Sequence, residues 1–290
     1  MPEQLDAALP EVARARMAEI RESHTWGSAL STQEFAAITG AGFDPVGQVL
    51  GTAVFHIGYA GRWGCSGAWS FFGGTEVSSS AYAPFSQLVR TMYGARRLAL
   101  ARAIAECKAL GGDGIVGVKL RVGHFSAGGM EFTALGTAVR ARSKSRPARP
   151  FTSHVTGQEF AKLLHGGWVP TGLVLGISIA TRHDDWRTYG QLRWTAGNQE
   201  VDGYTQLINH ARHDARYQLQ LDAKAHGGDG IVVDEMQLRI RERECPSYEN
   251  QRDHIAEAEF VGTSIARFDR RPGGTGLKPP LSIMTLNRGR

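Results

Sequence analysis

Cysteine is scarce in this chain, and what there is forms no pattern. The 290 residues hold three, Cys65, Cys107 and Cys245, with no Cys-x-x-Cys pair and one thiol left over from any pairing. That argues against a disulfide framework and for a reducing, cytoplasmic setting. Long apolar runs are also missing. None approaches the ~20 residues that a membrane-spanning helix needs, so no membrane partner is expected. The first residues, Met1-Pro2-Glu3-Gln4-Leu5-Asp6, are acidic and lack the apolar core of a signal segment. There is no Gly-x-Ser-x-Gly elbow, and no Cys–His pair recurs along the chain, so nucleophilic catalysis has no support. Charge is modest too: a formal +5 with histidines neutral supports weak anion affinity and does not name nucleic acid as a partner.

What is present is repetition. Gly-Gly-Asp-Gly-Ile-Val occurs at Gly111–Val116 and again at Gly227–Val232. Gln33-Glu34-Phe35 recurs as Gln158-Glu159-Phe160, and Gly47-Gln48-Val49-Leu50-Gly51 as Gly172-Leu173-Val174-Leu175-Gly176. Glu131-Phe132 followed by Gly136-Thr137 recurs as Glu259-Phe260 followed by Gly262-Thr263. Four matches in one order point to a tandem duplication. They divide the chain into an N-terminal helix (1–29), a first copy (30–142), a basic linker (143–150), a second copy (151–270) and a Pro/Gly-containing tail (271–290). Each copy has a common domain size. In the tail, Leu281–Leu286 is apolar enough to dock as an extended strand.

Each copy reads as the same α+β unit, one long helix packed on an antiparallel sheet. An extended region ends in Gly-x-Val-x-Gly. A variable segment follows, Val54–Phe85 in the first copy and Ile177–Tyr204 in the second. Then comes a long Ala-rich helix: Leu88, Met92, Ala95, Ala99, Ala103 and Cys107, or Ile208, Ala211, Ala215, Leu219 and Ala223, recur at helical spacing. Small side chains let such a helix lie close to a sheet. Gly111 and Gly227 stand where a helix C-cap is expected. Gly114 and Gly230 then open a strand whose apolar side holds Val116, Val118, Leu120 and Val122, or Val232, Met236, Leu238 and Ile240. Asp234 interrupts that side. A last strand, Glu131–Val139 or Glu259–Ala266, returns antiparallel, and Gly123–Gly129 makes the first pair a hairpin. Glu34 and Glu159 read as the first turn of short helices. Pro2–Ser23 reads as an amphipathic helix broken or restarted at Pro10.

These residues resemble the YbjQ-like family, often labelled a heavy-metal-binding domain. The likeness lies in Gly47-Gln48-Val49-Leu50-Gly51, Leu110-Gly111-Gly112-Asp113-Gly114-Ile115-Val116-Gly117 and Gly136-Thr137-Ala138-Val139-Arg140. It lies again in Gly172–Gly176, His226–Val233 and Gly262-Thr263-Ser264-Ile265-Ala266 of the second copy, which departs further. The resemblance implies a small self-associating domain that forms rings, typically pentamers, without established enzymatic activity. For this chain it implies a homo-oligomer in multiples of five domains or chains. Closed rings follow when one heterologous contact repeats with the right rotation.

Candidate chemistry has to be weighed against plainer readings. His210 and His213 lie about one helical turn apart with Asp214 beside them, a spacing that could share one transition metal, the one cofactor the chain suggests. A solvated helix face explains them more simply. His183-Asp184-Asp185 is a second cluster of ligand types, but adjacent residues do not all face one ion. Cys65, in a Gly-rich stretch, is the candidate reactive thiol, while Cys107 on the apolar stripe reads as core. Gly111–Gly114 follows a helix C-terminus, where the dipole is negative, so it is not a phosphate loop. Phe55, Tyr59, Trp63, Trp69, Phe71 and Phe72 form an assembly or partner surface, with an interface buried between subunits favoured because aromatics are enriched there. Linker arginines Arg140, Arg142, Arg146 and Arg149 form a basic stretch without a stacking motif, so nucleic acid is not expected as a partner.

Overall fold

A computed structural model describes residues 9–23, 27–56, 74–80, 83–124, 129–144, 146–245 and 252–268. Tyr59, Trp63, Cys65, Trp69, Phe71, Phe72 and the tail lie outside these residues. The helices are α1 (Glu11–Ser23), α2 (Thr32–Gly40), α3 (Ser86–Ala109), α4 (Gly157–His165), α5 (Trp186–Leu192) and α6 (Asp202–Ala225). The strands are β1 (Phe43–His56), β2 (Thr75–Val77), β3 (Gly114–His124), β4 (Gly129–Ala141), β5 (Phe151–Thr152), β6 (Trp168–His183), β7 (Gly230–Glu244) and β8 (Arg252–Arg267). They form two four-stranded sheets, ordered β1-β4-β3-β5 and β2-β6-β8-β7. The fold is α+β, with α3 against the first sheet and α6 against the second.

The two sheets agree in detail. In β1·β4 the register shifts between Pro45 and Gly47, and in β6·β8 between Pro170 and Gly172. Gly51 and Gly176, mid-strand rather than at a strand end, are where the long helices press closest. A Cβ on Gly51 would lie 1.8 Å from the Ala99 carbonyl oxygen, and one on Gly176 2.1 Å from that of Ala215. The facing helix positions Ala95, Ala99, Ala103 and Ala211, Ala215 are all buried, which is the close packing the small residues permit. The same crossing point carries a polar bond absent from the sequence reading. Leu50 N–H donates to Glu106 Oε2 at 2.8 Å, and Leu175 N–H to Asp222 Oδ2 at 3.0 Å. Each helix thus pins its sheet with one carboxylate, Glu106 buried and Asp222 half-buried.

Gly111 and Gly227 follow their helices with φ of 74° and 70°, as the C-cap reading requires. Gly47, Gly114, Gly136, Gly172 and Gly262 each have a neighbour that a Cβ would strike within 3.0 Å, whereas Gly230 meets only Ile265 at 3.5 Å. The short helices open with matching capping boxes, Ser31 with Glu34 and Thr156 with Glu159. The Gly-Thr motif also has a role: Thr137 Oγ1 accepts from Ala29 N–H at 3.2 Å, and Thr263 Oγ1 from His154 N–H at 3.1 Å. It anchors the chain entering each short helix.

Four sequence expectations shift. Strand register opposes Val54 to Glu131 and Ile179 to Glu257, and opposes Gly51 to Ala134 and Gly176 to Phe260. Glu131 therefore corresponds to Glu257, so the match of Glu131-Phe132 to Glu259-Phe260 is displaced by two residues. The interruption at Asp234 is a β-bulge, the register skipping it between Val233 and Glu235 as it skips Gly117 and Val118 in β3. Beyond that bulge, Met236 and Ile240 are exposed rather than in the core, because β7 is the outer strand of its sheet. Phe55 is half-buried and packs against the first core instead of lying on a surface.

Candidate functional site

The best-built contact surface in this chain is the joint between its two halves. Helix α3 of the first half lies on the sheet of the second. Phe85, Val89 and Met92 form one buried cluster with Ile177, Ile179 and Ile255. Tyr93 Oη accepts from Ile177 N–H at 2.7 Å, and burial pushes its phenol up to about 12. Arg96, buried, reaches Glu259 Oε1 at 2.6 Å and lies 5.3 Å over the ring of Phe132. Burial raises the Glu259 carboxyl above its usual value, and Arg96 opposes that rise. Strand β2 extends the second sheet along β6, so a piece of the first half completes the other's sheet.

A second patch of the joint sits beside it. β5 pairs in parallel with β3. Ser153 N–H donates to Ile115 O at 2.9 Å, and Gly117 N–H to Val155 O at 3.0 Å. Phe160 of α4 is fully buried there, its ring 5.1 Å from Phe43 and stacked on Phe151 at 5.5 Å. Ile38 and Val116 complete this cluster. His154 lies beside it, its Nδ1 2.7 Å from Thr263 Oγ1, and burial lowers its pKa against the pull of Asp234 and Glu159. The joint is not self-complementary. It uses α3 and the β3 edge of one half and the sheet face and leading strand of the other.

The candidate metal ligands fare differently. His210 and His213 are exposed, and His210 Nδ1 lies 2.7 Å from Gln206 O. Asp214 is buried on the sheet side of α6 and accepts from Ser178 Oγ at 2.5 Å. Consecutive helical positions diverge, so the three do not share one ion. Among the described residues, ligand atoms of His183, Cys245 and Asp253 lie within 4.8 Å of one another, all buried. Of these, only His183 stood out in the sequence, because Cys245 and Asp253 arrive from separate strands. Asp253 Oδ1 is 2.8 Å from His183 Nδ1, and Asp253 Oδ2 is 2.9 Å from Arg243 Nη2. Alongside, His254 Nε2 lies 2.9 Å from Asp184 and 3.0 Å from Tyr204 Oη, and burial raises that phenol to about 12. A transition metal needs free thiolate, imidazole or carboxylate donors. Here both oxygens of the carboxylate are engaged, one by a fixed guanidinium charge, so the cluster does not fit a bound metal and reads as an ion-pair network.

Exposed apolar groups concentrate elsewhere in the second half. Trp186 is 81 % exposed and Trp194 94 %, around α5 and the 3-10 turn Trp194–Ala196. These tryptophans lie outside the first-half aromatic run that the sequence singles out, and no motif marks them. Exposed tryptophans and the open strand β7 are marks of a contact surface.

The chain matches the family model YbjQ_1, described as "Putative heavy-metal-binding", over residues 72–142. It is also 36 % identical over 234 residues to the encapsulin nanocompartment protein Rv1762c of Mycobacterium tuberculosis, covering 78 % of this chain and 82 % of the relative. The chain belongs to the family of that nanocompartment protein. No solved structure matches. The matched stretch of the YbjQ_1 model holds β2, α3, β3 and β4, of which β2, α3 and β3 meet the second half at the joint, while Ile38 and Phe43 join it from outside that stretch. No described helix is long and apolar enough to cross a membrane.

Proposed function

We propose that this is a non-enzymatic, self-assembling protein of a nanocompartment type. It is built from two tandem YbjQ-like copies that associate as a ring-like homo-oligomer, with fivefold rings as the expected form. It acts in the cytoplasm as a scaffold or binding platform. One observation carries the reading: among the described residues β7 ends its sheet as a long open edge, with Val233, Met236 and Ile240 half exposed. A solitary protein protects such an edge, and a subunit covers it with a neighbour. The relative's name supports the same direction. Neither nucleic acid nor a membrane is needed as a partner.

Light scattering on a size-exclusion column at low and high salt, with metal analysis of the same peak, tests this. A salt-resistant particle of several 31.5 kDa chains without metal is expected. A monomer, or a peak carrying stoichiometric transition metal, overturns the reading and favours a metal-responsive protein instead. Binding that weakens steeply with salt would favour a nucleic-acid scaffold.

A further inference from the structure

The joint inside the chain is made once, but its parts are present twice. In the first half, Leu30, Ile38, Phe43 and Val116 surround Phe160. The positions equivalent to these four in the second half are Val155, Leu163, Trp168 and Val232. They line an open cavity of about 290 Å³. The residue equivalent to Phe160 is Phe35, at the same place in the other capping-box helix. Phe160 is fully buried, whereas Phe35 is 39 % exposed. The second half has a socket like the one Phe160 fills, and the first half has the matching knob.

The strand edges agree. Segment Ser153–Val155 holds β3 through Ser153 N–H to Ile115 O and Val118 N–H to Ser153 O, both at 2.9 Å. Segment Ser28–Leu30 already stands in the same pose on its own half. Leu30 N–H donates to Ser28 Oγ at 3.1 Å, as Val155 N–H does to Ser153 Oγ at 3.2 Å. The edge equivalent to Ile115–Val118 is Ile231–Asp234 of β7. At Gly114 a Cβ would strike the Phe151 ring at 2.2 Å, while Gly230 has no such neighbour. The first edge is covered by an aromatic strand, and among the described residues the second offers room for one.

We propose that a second copy of this chain docks here. Its Phe35 enters the socket of the first chain's second half, and its Ser28–Leu30 pairs in parallel with the outer edge of β7. This rests on the homo-oligomer reading and names the contact that reading requires. Knob and socket lie on different halves, so every chain offers both and addition runs head to tail until a ring closes. The helix-on-sheet patch does not repeat in the same chemistry. Leu173 and Ile177 correspond to Gln48 and Thr52, and α1 lies over this face with Arg16 paired to Glu106. The neighbour's α6 arrives there, so α1 gives way on docking.

The test uses full-length Phe35→Glu and Val232→Glu chains beside the unaltered protein, with circular dichroism confirming the fold. Each variant alone runs as a single 31.5 kDa chain, association being weakened about a hundredfold or more, as for a central buried anchor. Mixed, they form a particle of two chains and grow no further, because one keeps the socket and the other the knob. If the unaltered protein is a multimer and both variants stay multimeric, this contact is wrong while the oligomer reading stands. If the unaltered protein is a monomer, the oligomer reading itself fails. If the chain's own tail segment 281–286 fills the socket, Val232→Glu lowers the melting temperature without changing the mass, which also overturns the proposal. A Phe35→Cys, Val232→Cys chain gives a second measurement. Oxidation produces an interchain ladder absent from either single variant, and the lack of a ladder counts against the contact.

Discussion

Replacing Phe160 by alanine isolates what the joint contributes to stability. The side chain is fully buried, lies edge-on to Phe43 at 5.1 Å and stacks on Phe151 at 5.5 Å. Removing it from water-excluded packing costs about 1.5–3 kcal/mol in lost transfer energy. Each of the two ring contacts adds about 0.5–1.5 kcal/mol. The cavity left between α4 and the first sheet relaxes poorly, because strands on both sides are tied by hydrogen bonds. The sum spans about 2.5–6 kcal/mol and brackets the about 3–5 kcal/mol typical of buried Phe→Ala changes, which is the expected loss. Equilibrium urea unfolding by circular dichroism, run at two protein concentrations, measures it. The loss is expected to be the same at both, since Phe160 packs within one chain, whereas the Phe35 change acts on association and its effect moves with concentration. A loss below about 1 kcal/mol for Phe160→Ala would refute the reasoning, because it would mean the two halves hold together without this cluster.

Other changes probe separate parts of the molecule. Gly51→Ala places a methyl 1.8 Å from the Ala99 carbonyl, backbone against backbone. The expected result is a melting temperature lowered by more than 10 °C or insoluble protein, and an unchanged melt would disprove the close approach. Burial pushes the Cys107 thiol up to about 12. It should therefore resist thiol reagents at pH 8 until the protein unfolds, and any fast-reacting thiol should vanish in Cys65→Ser. His154 is held below its ordinary pKa chiefly by burial, so the unfolded chain binds its proton first. Stability from this group is full above about pH 6.5 and falls as pH drops below it, a slope that His154→Gln should flatten in pH-dependent melts.

The fold was legible where a residue's reason is local. Gly111 and Gly227 end helices, Glu34 and Glu159 close capping boxes, and the Ala stripes of α3 and α6 face their sheets, because each follows from turn geometry or periodicity. What depends on pairing was not legible. The Glu-Phe match slipped by two because a repeated dipeptide carries no information on register, which β1 and β6 impose through their hydrogen bonds. Asp234 looked like a flaw in an apolar face until the bulge removed it from the alternation. Phe35 and Phe160 are identical letters in identical motifs, yet one is exposed and the other buried. The difference lies in whether a second domain is tethered beside it. Met236 and Ile240 satisfy the alternation of an inward face, but periodicity does not say that a strand is the last of its sheet. The metal reading rested on His210, His213 and Asp214 being close in sequence, but a helix turns consecutive residues about 100° apart, so His213 faces solvent while Asp214 faces the sheet.

The short connection between Ala141 and Phe151 has a consequence for how any particle would come apart. It holds β5 next to β3 at an effective concentration of order mM, set by a tether of a few residues. The joint within each chain therefore forms as a unimolecular event at any dilution. Contacts between chains have no such tether and answer to the concentration of protein in the cell. Dilution would open an assembly only at its untethered seams, releasing intact two-part chains and never separated halves, and every closed particle would contain an even number of halves.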